Sequence, residues 1–113
     1  MYICIVPLHT IDSMDLLEGF EWDENNQNKN WLGHKVTNDE CEDVFYNEPL
    51  VIFSDQKHSA QEKRFVAYGI TDQKRKLTII FTMRKNRIRV ISARDQSKKE
   101  RRTYEKTEKS TII

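Results

Sequence analysis

Arginine alternates with apolar residues in Arg87-Ile88-Arg89-Val90-Ile91-Ser92-Ala93-Arg94, the stretch with the clearest chemical content in the chain. Side chains alternate across an extended strand, so Arg87 and Arg89 share one face while Ile88 and Val90 share the other. Two guanidiniums about 7 Å apart on one face can grip adjacent phosphates, because each offers a planar fork of donors. Arg94 falls in the opposite register at the end of the strand, where a twist or a bulge would swing it back. The same alternation also fits a half-buried sheet whose solvent side simply carries charge, and spacing alone leaves the two readings even.

A second cluster, Asp55, His58, Glu62 and Arg64, lies in the loop that leads into another strand. Histidine titrates near neutral pH and can take or give a proton. That suits cleavage of an RNA phosphodiester, in which the 2′-hydroxyl needs a base and the leaving 5′-oxygen an acid. Arginines would steady the charge that develops on phosphorus. No metal is expected here, because the loop has no second histidine and single carboxylates make a poor zinc set. An exposed polar loop is the plain alternative. His9 and His34 have weaker surroundings and are assigned no catalytic role.

Tyr104 follows Glu100 by four residues and Arg101 by three, so on a helix the three occupy neighbouring positions. Its ring could stack on a base or its hydroxyl bond a phosphate; as a structural residue it would dock the helix on the sheet. Trp22 and Trp31 are expected in the core or at a partner interface.

The elements that must position these groups follow from length and pattern. With 113 residues the chain fits one domain with one core. No window reaches the roughly 18 apolar residues of a membrane span. The opening Met1-Tyr2-Ile3-Cys4-Ile5-Val6 lacks a basic start and breaks at Pro7, so no signal peptide is expected. Cys4 and Cys41 show no metal spacing and form no disulfide framework, which points to a reduced, cytoplasmic setting. Charge is unevenly spread: residues 1–83 carry a net −6 and residues 84–113 a net +7. Such a split suggests a polyanion-binding end and an acidic surface for a partner. A solvated, salt-laced last helix is the rival reading.

Residues 1–19 show no periodicity and read as an extension, with Met14 as a second plausible start. Residues 24–33 are Asn-rich and weakly helical. Thr37 and Glu40 have capping-box spacing, and Cys41, Val44 and Phe45 then share a helical face ending before Pro49. Leu50–Phe53 reads as a short strand. Phe65–Ile70, Leu77–Met83 and Arg87–Ala93 follow with short connections, which predicts an antiparallel meander. Ser97 and Glu100 offer another capping box for a charged helix to about Lys109. The expected fold is α+β, a four-stranded, mainly antiparallel sheet with helices before and after it.

Taken in order, these residues resemble the BrnT family of toxins of type II toxin–antitoxin systems. The resemblance runs from Phe20-Glu21-Trp22-Asp23 through Glu40–Phe45, His58-x-x-x-Glu62-x-Arg64 and Gly69 to Arg87–Arg94, Glu100 and Tyr104, covering residues 20 to about 106. It implies a RelE-like fold in a single domain over 20–109 and a metal-independent endoribonuclease without cofactor. It also implies a BrnA-like antitoxin partner that makes the DNA contact, and an RNA substrate, free or on the ribosome. By that likeness Arg64, Arg87, Arg89 and Arg94 are phosphate ligands, His58 or Glu62 the proton carrier, and Tyr104 a neighbour of the scissile phosphate. Asn26 stands where the family usually has lysine, and Gly33-His34-Lys35 where it tends to have Lys-His-Gly. A non-catalytic RNA- or ribosome-binding module with the same basic surface is the alternative.

Overall fold

Two helices lying wholly within the described residues begin where a side chain can close the first turn. The Glu40 N–H donates to Thr37 Oγ1 at 3.1 Å, and the Glu40 carboxylate accepts from the Thr37 N–H at 3.0 Å. This reciprocal box opens α1, Asn38–Tyr46. Ser97 and Glu100 repeat the arrangement at 3.2 and 2.8 Å and open α2, Lys98–Thr111. The computed structural model describes residues 4–5, 19–23, 33–55 and 63–111.

Among the described residues six strands form one sheet: β1 Cys4–Ile5, β2 Gly19–Phe20, β3 Val51–Ser54, β4 Arg64–Ile70, β5 Lys76–Arg84 and β6 Arg87–Asp95. Their order across the sheet is β1-β3-β4-β5-β6-β2. The central four run antiparallel in the expected meander. The β5–β6 hairpin turns through Lys85 and Asn86 at φ 50° and 65°, the left-handed pair that matches the twist of two joined strands.

The expectation of four strands is corrected to six. Cys4–Ile5 adds antiparallel to β3, and Gly19–Phe20 adds parallel to β6, so the sheet is mixed. Two residues are too few to show a period, and an edge recruits them through backbone bonds whatever their side chains. The weakly helical stretch read over 24–33 lies outside the described residues except at its end.

The core lies between α1 and one face of the sheet. Cys41, Val44 and Phe45 pack on Ala67, Leu77, Ile79, Phe81, Ile88 and Val90, all buried. Phe45 meets Phe81 edge-on at 5.0 Å, and Phe65 stacks on Phe81 at 5.4 Å. The fully buried rings of Phe45 and Phe81 each contribute about 2–3 kcal/mol. Gly69 is required by this packing, since a Cβ there would run into Val44. Trp22 and Phe20 border the core, and the Trp22 indole donates to Glu42 at 2.9 Å.

Arg75, in the turn before β5, ties the frame together. It donates to Asp95 at 2.7 and 3.1 Å, to Glu40 at 3.1 Å, and to the carbonyls of Lys35 and His34 at 2.9 and 3.2 Å. The bond to Asp95 raises the Arg75 pKa against the effect of burial. The same bond holds the Asp95 carboxyl below its ordinary value.

Candidate functional site

Directly opposed residues of an antiparallel pair project to the same face, so the register assigns each face. Leu77, Ile79, Phe81 and Met83 of β5 face α1, opposite Asp95, Ala93, Val90 and Ile88 of β6. The other face carries Thr78, Ile80, Thr82 and Arg84 from β5, opposite Arg94, Ser92, Arg89 and Arg87. From β4 the same face receives Tyr68, Val66 and Arg64.

Regular alternation would send Arg94 to the core side. The register shifts between Ile80 and Phe81: Ile80 pairs with Ser92, while Phe81 pairs with Val90. Ile91 is therefore the extra residue of a bulge, and one extra residue reverses the alternation beyond it. That reversal brings Arg94 onto the face of Arg87 and Arg89. Four arginines expected from sequence to bind phosphate thus share one face with Arg84.

At one end of this face Arg64, Thr82 and Arg89 form a row across three strands. The two arginine Cα atoms stand about 10 Å apart, two strand spacings. Arg87 and Arg84 form the next row. Arg87 is exposed. Arg89 is 12% exposed at its side chain and donates to Asp23 at 2.6 and 3.3 Å and to Glu21 at 3.3 Å. Both acids follow β2, whose pairing continues one residue further through the Glu21 N–H to Ile88 O at 2.8 Å.

At the other end α2 covers the sheet. Arg94 binds the Glu100 carboxylate through two nitrogens at 2.7 and 3.0 Å, and the Thr78 hydroxyl donates to the same carboxylate at 3.0 Å. Burial pushes the Glu100 carboxyl up, but Arg94, the Ser97 N–H and Thr78 together hold it at about 2. Tyr104 is fully buried, and its hydroxyl donates to the Pro49 carbonyl at 2.6 Å. This contact docks α2 on the sheet, the structural role open to Tyr104 in sequence. Tyr68 lies half-buried in the Thr78–Arg94 row, its hydroxyl pKa raised by burial and by Glu100.

His58 and Glu62 lie outside the described residues. The segment carrying them leaves at Asp55 and returns at Lys63, where the Asp55 N–H donates to Arg64 O at 2.9 Å. His34 is exposed and contributes its carbonyl to Arg75. Cys41 is buried, and burial pushes its thiol up to about 12, which leaves it unreactive. Sequence reasoning missed Thr82, Arg84 and the acids that hold Arg89. Period-two counting along β5 from Thr78 would have placed Thr82 and Arg84 on this face. A groove of about 420 Å³ beside α1, lined by Thr37, Asp39, Glu40, Asp43 and Asp72, is acidic and would repel a polyanion.

Among the described residues no helix is long and apolar enough to cross a membrane. A family model described as the ribonuclease toxin BrnT of type II toxin–antitoxin systems matches residues 22–100. No curated protein matches the chain.

Proposed function

The chain belongs to the BrnT family of ribonuclease toxins of type II toxin–antitoxin systems, and from that premise we propose a metal-independent endoribonuclease that works on the arginine face. The reaction is attack of a 2′-hydroxyl on the adjacent phosphorus, with expulsion of the 5′-oxygen and formation of a 2′,3′-cyclic phosphate. His58 and Glu62 move the two protons. Arg64, Arg87 and Arg89 hold the charge that builds on phosphorus, and such preorganised donors are usually the largest catalytic contribution. Arg94 extends the phosphate track toward α2. Tyr104 serves by docking α2, which carries Glu100 to Arg94.

The toxin domain spans 20–109, with residues 1–19 as an extension. It acts in the cytoplasm and inhibits translation by destroying RNA, on or off the ribosome. A BrnA-like antitoxin neutralises it and supplies the DNA contact of the pair.

The observation that carries this reading is the bulge at Ile91, which brings Arg94 onto the face that carries Arg87, Arg89 and Arg64, at its far end. Charge on a merely solvated strand does not need to be gathered in this way. The test is incubation of antitoxin-free protein with a defined RNA in EDTA, with and without ribosomes, beside Arg89→Ala. Cleavage by the wild type and about 100-fold slower cleavage by the variant is expected. RNA retained at low salt, released at high salt and recovered intact in every condition would make the protein a binding module instead.

A further inference from the structure

We propose that Thr82 contacts the bound RNA directly. Its hydroxyl, flanked in one row by Arg64 and Arg89, completes a three-donor seat for a single phosphate group, from which Asp23 is displaced when RNA binds. This deepens the reading above and rests on it only for the identity of the anion.

The argument begins with an orphan. Thr82 is fully buried, and among the described residues its hydroxyl has no hydrogen-bond partner. Leaving a buried polar group unpaired costs about 1–3 kcal/mol. The other buried threonines among the described residues all use theirs. Thr78 donates to Glu100, Thr71 accepts from the Arg75 N–H at 3.0 Å, and Thr107 donates to Thr103 O at 3.1 Å. Valine fills nearly the same volume, suits a strand at least as well and carries no such cost. The hydroxyl is therefore the feature that needs a cause.

Its neighbours in the row say what kind of partner it lacks. Both directly opposed residues are arginines, Arg64 on β4 and Arg89 on β6. A guanidinium has donors and no acceptor, so an arginine of the row could donate to the threonine oxygen but none can take its proton. Thr82 is wholly covered, so an acceptor reaches it only where the side chains over it part; there it would meet three donors, two of them charged. A phosphate, with several oxygens to share, fits such a set. Arg89 already meets oxygen anions, the Asp23 carboxylate at 2.6 Å and Glu21 at 3.3 Å. Exchange of Asp23 for a phosphate replaces two charge-assisted bonds of Arg89 with bonds of the same kind and gains the Thr82 hydroxyl.

The test uses the full chain and a 2′-O-methyl RNA oligonucleotide, which binds but cannot be cut by 2′-oxygen attack. Affinity is read by fluorescence anisotropy at low salt. Thr82→Val is expected to bind about 10-fold more weakly, the worth of one hydrogen bond to a charged group. Its thermal midpoint should equal or exceed that of the wild type, because the orphan is gone. Thr82→Ser should bind within about twofold of the wild type, and Thr82→Ala should bind as weakly as the valine variant. Binding by Thr82→Val within twofold of the wild type overturns the proposal, as does failure of the wild type to bind. Cleavage of unmodified RNA by the same proteins separates the two claims. Wild type that binds through Thr82 yet never cuts sinks the nuclease reading alone. Wild type that cuts, with Arg89→Ala inactive and Thr82→Val unchanged, sinks the Thr82 seat alone.

Discussion

Arg75 and Arg89 each meet two carboxylates, Glu40 and Asp95 in one case, Asp23 and Glu21 in the other. The acids around Arg75 stand on α1 and at the end of a nine-residue strand, and two backbone carbonyls complete its shell. Those around Arg89 follow a two-residue strand at the edge of the sheet. The same ion-pair chemistry therefore serves two ends. Where the acids belong to the frame, the pair locks structure. Where they hang from a short edge, the proposed seat requires the pair to yield its arginine to a phosphate.

The sharpest way to break this comparison is to remove each arginine and ask what is lost. Arg89→Ala should slow RNA cleavage by about 100-fold, the usual loss of one charge-stabilising donor, with the unfolding midpoint little changed. Arg75→Ala should do the reverse. It strands Glu40 and Asp95 and two carbonyls, and should cost about 2 kcal/mol in urea denaturation while cleavage per folded molecule persists. A comparable loss of cleavage in both variants at equal folded fraction would erase the distinction.

How much of this was legible in the chain depends on the distance between cause and effect. Both capping boxes, Thr37 with Glu40 and Ser97 with Glu100, span three residues and are present as read. The four central strands and their meander followed from apolar and β-branched runs, from the alternation of Arg87–Ala93 and from short connections, all of them local. The face of Arg94 turned on a single inserted residue, and no residue type marks Ile91 as the bulge. The partners of Arg75 lie 20 and 35 residues away and Asp23 lies 66 residues from Arg89, separations over which sequence carries no pairing signal. Thr82 looked like any β-branched strand residue. Its meaning comes only from what stands beside it in register.

A third pair sharpens the contrast between frame and exchange. Glu100 holds Arg94 from within α2, and its carboxyl sits at about 2, well below the ordinary value of 4.5. A depressed carboxyl contributes stability that is complete above its unfolded value and is lost as pH falls through the folded one. The window here runs from about pH 4.5 down to about 2. Glu100→Gln should therefore be less stable than the wild type at pH 7, by about 1–2 kcal/mol. The gap between the two should close across that window in urea titrations. Glu40 and Asp95 are also held low and add acid lability to both proteins, so the difference between them is the reading. A gap that stays constant with pH would mean that Glu100 acts through shape and not through charge.

The smallest effect bears most directly on exchange. Asp23→Asn removes the negative charge closest to Arg89 while keeping a side chain that can still accept a hydrogen bond. If Asp23 only keeps the arginine occupied until RNA arrives, its neutralisation should tighten binding of an uncleavable RNA by about three- to tenfold at low salt. The dependence on salt should steepen by up to about one counterion, because Arg89 then neutralises a phosphate instead of a carboxylate. Glu21 remains within reach of Arg89, which keeps the gain modest. Weaker binding would carry the opposite lesson. Asp23 would then be aiming Arg89 as Asp95 aims Arg75, and both arginines would belong to the frame.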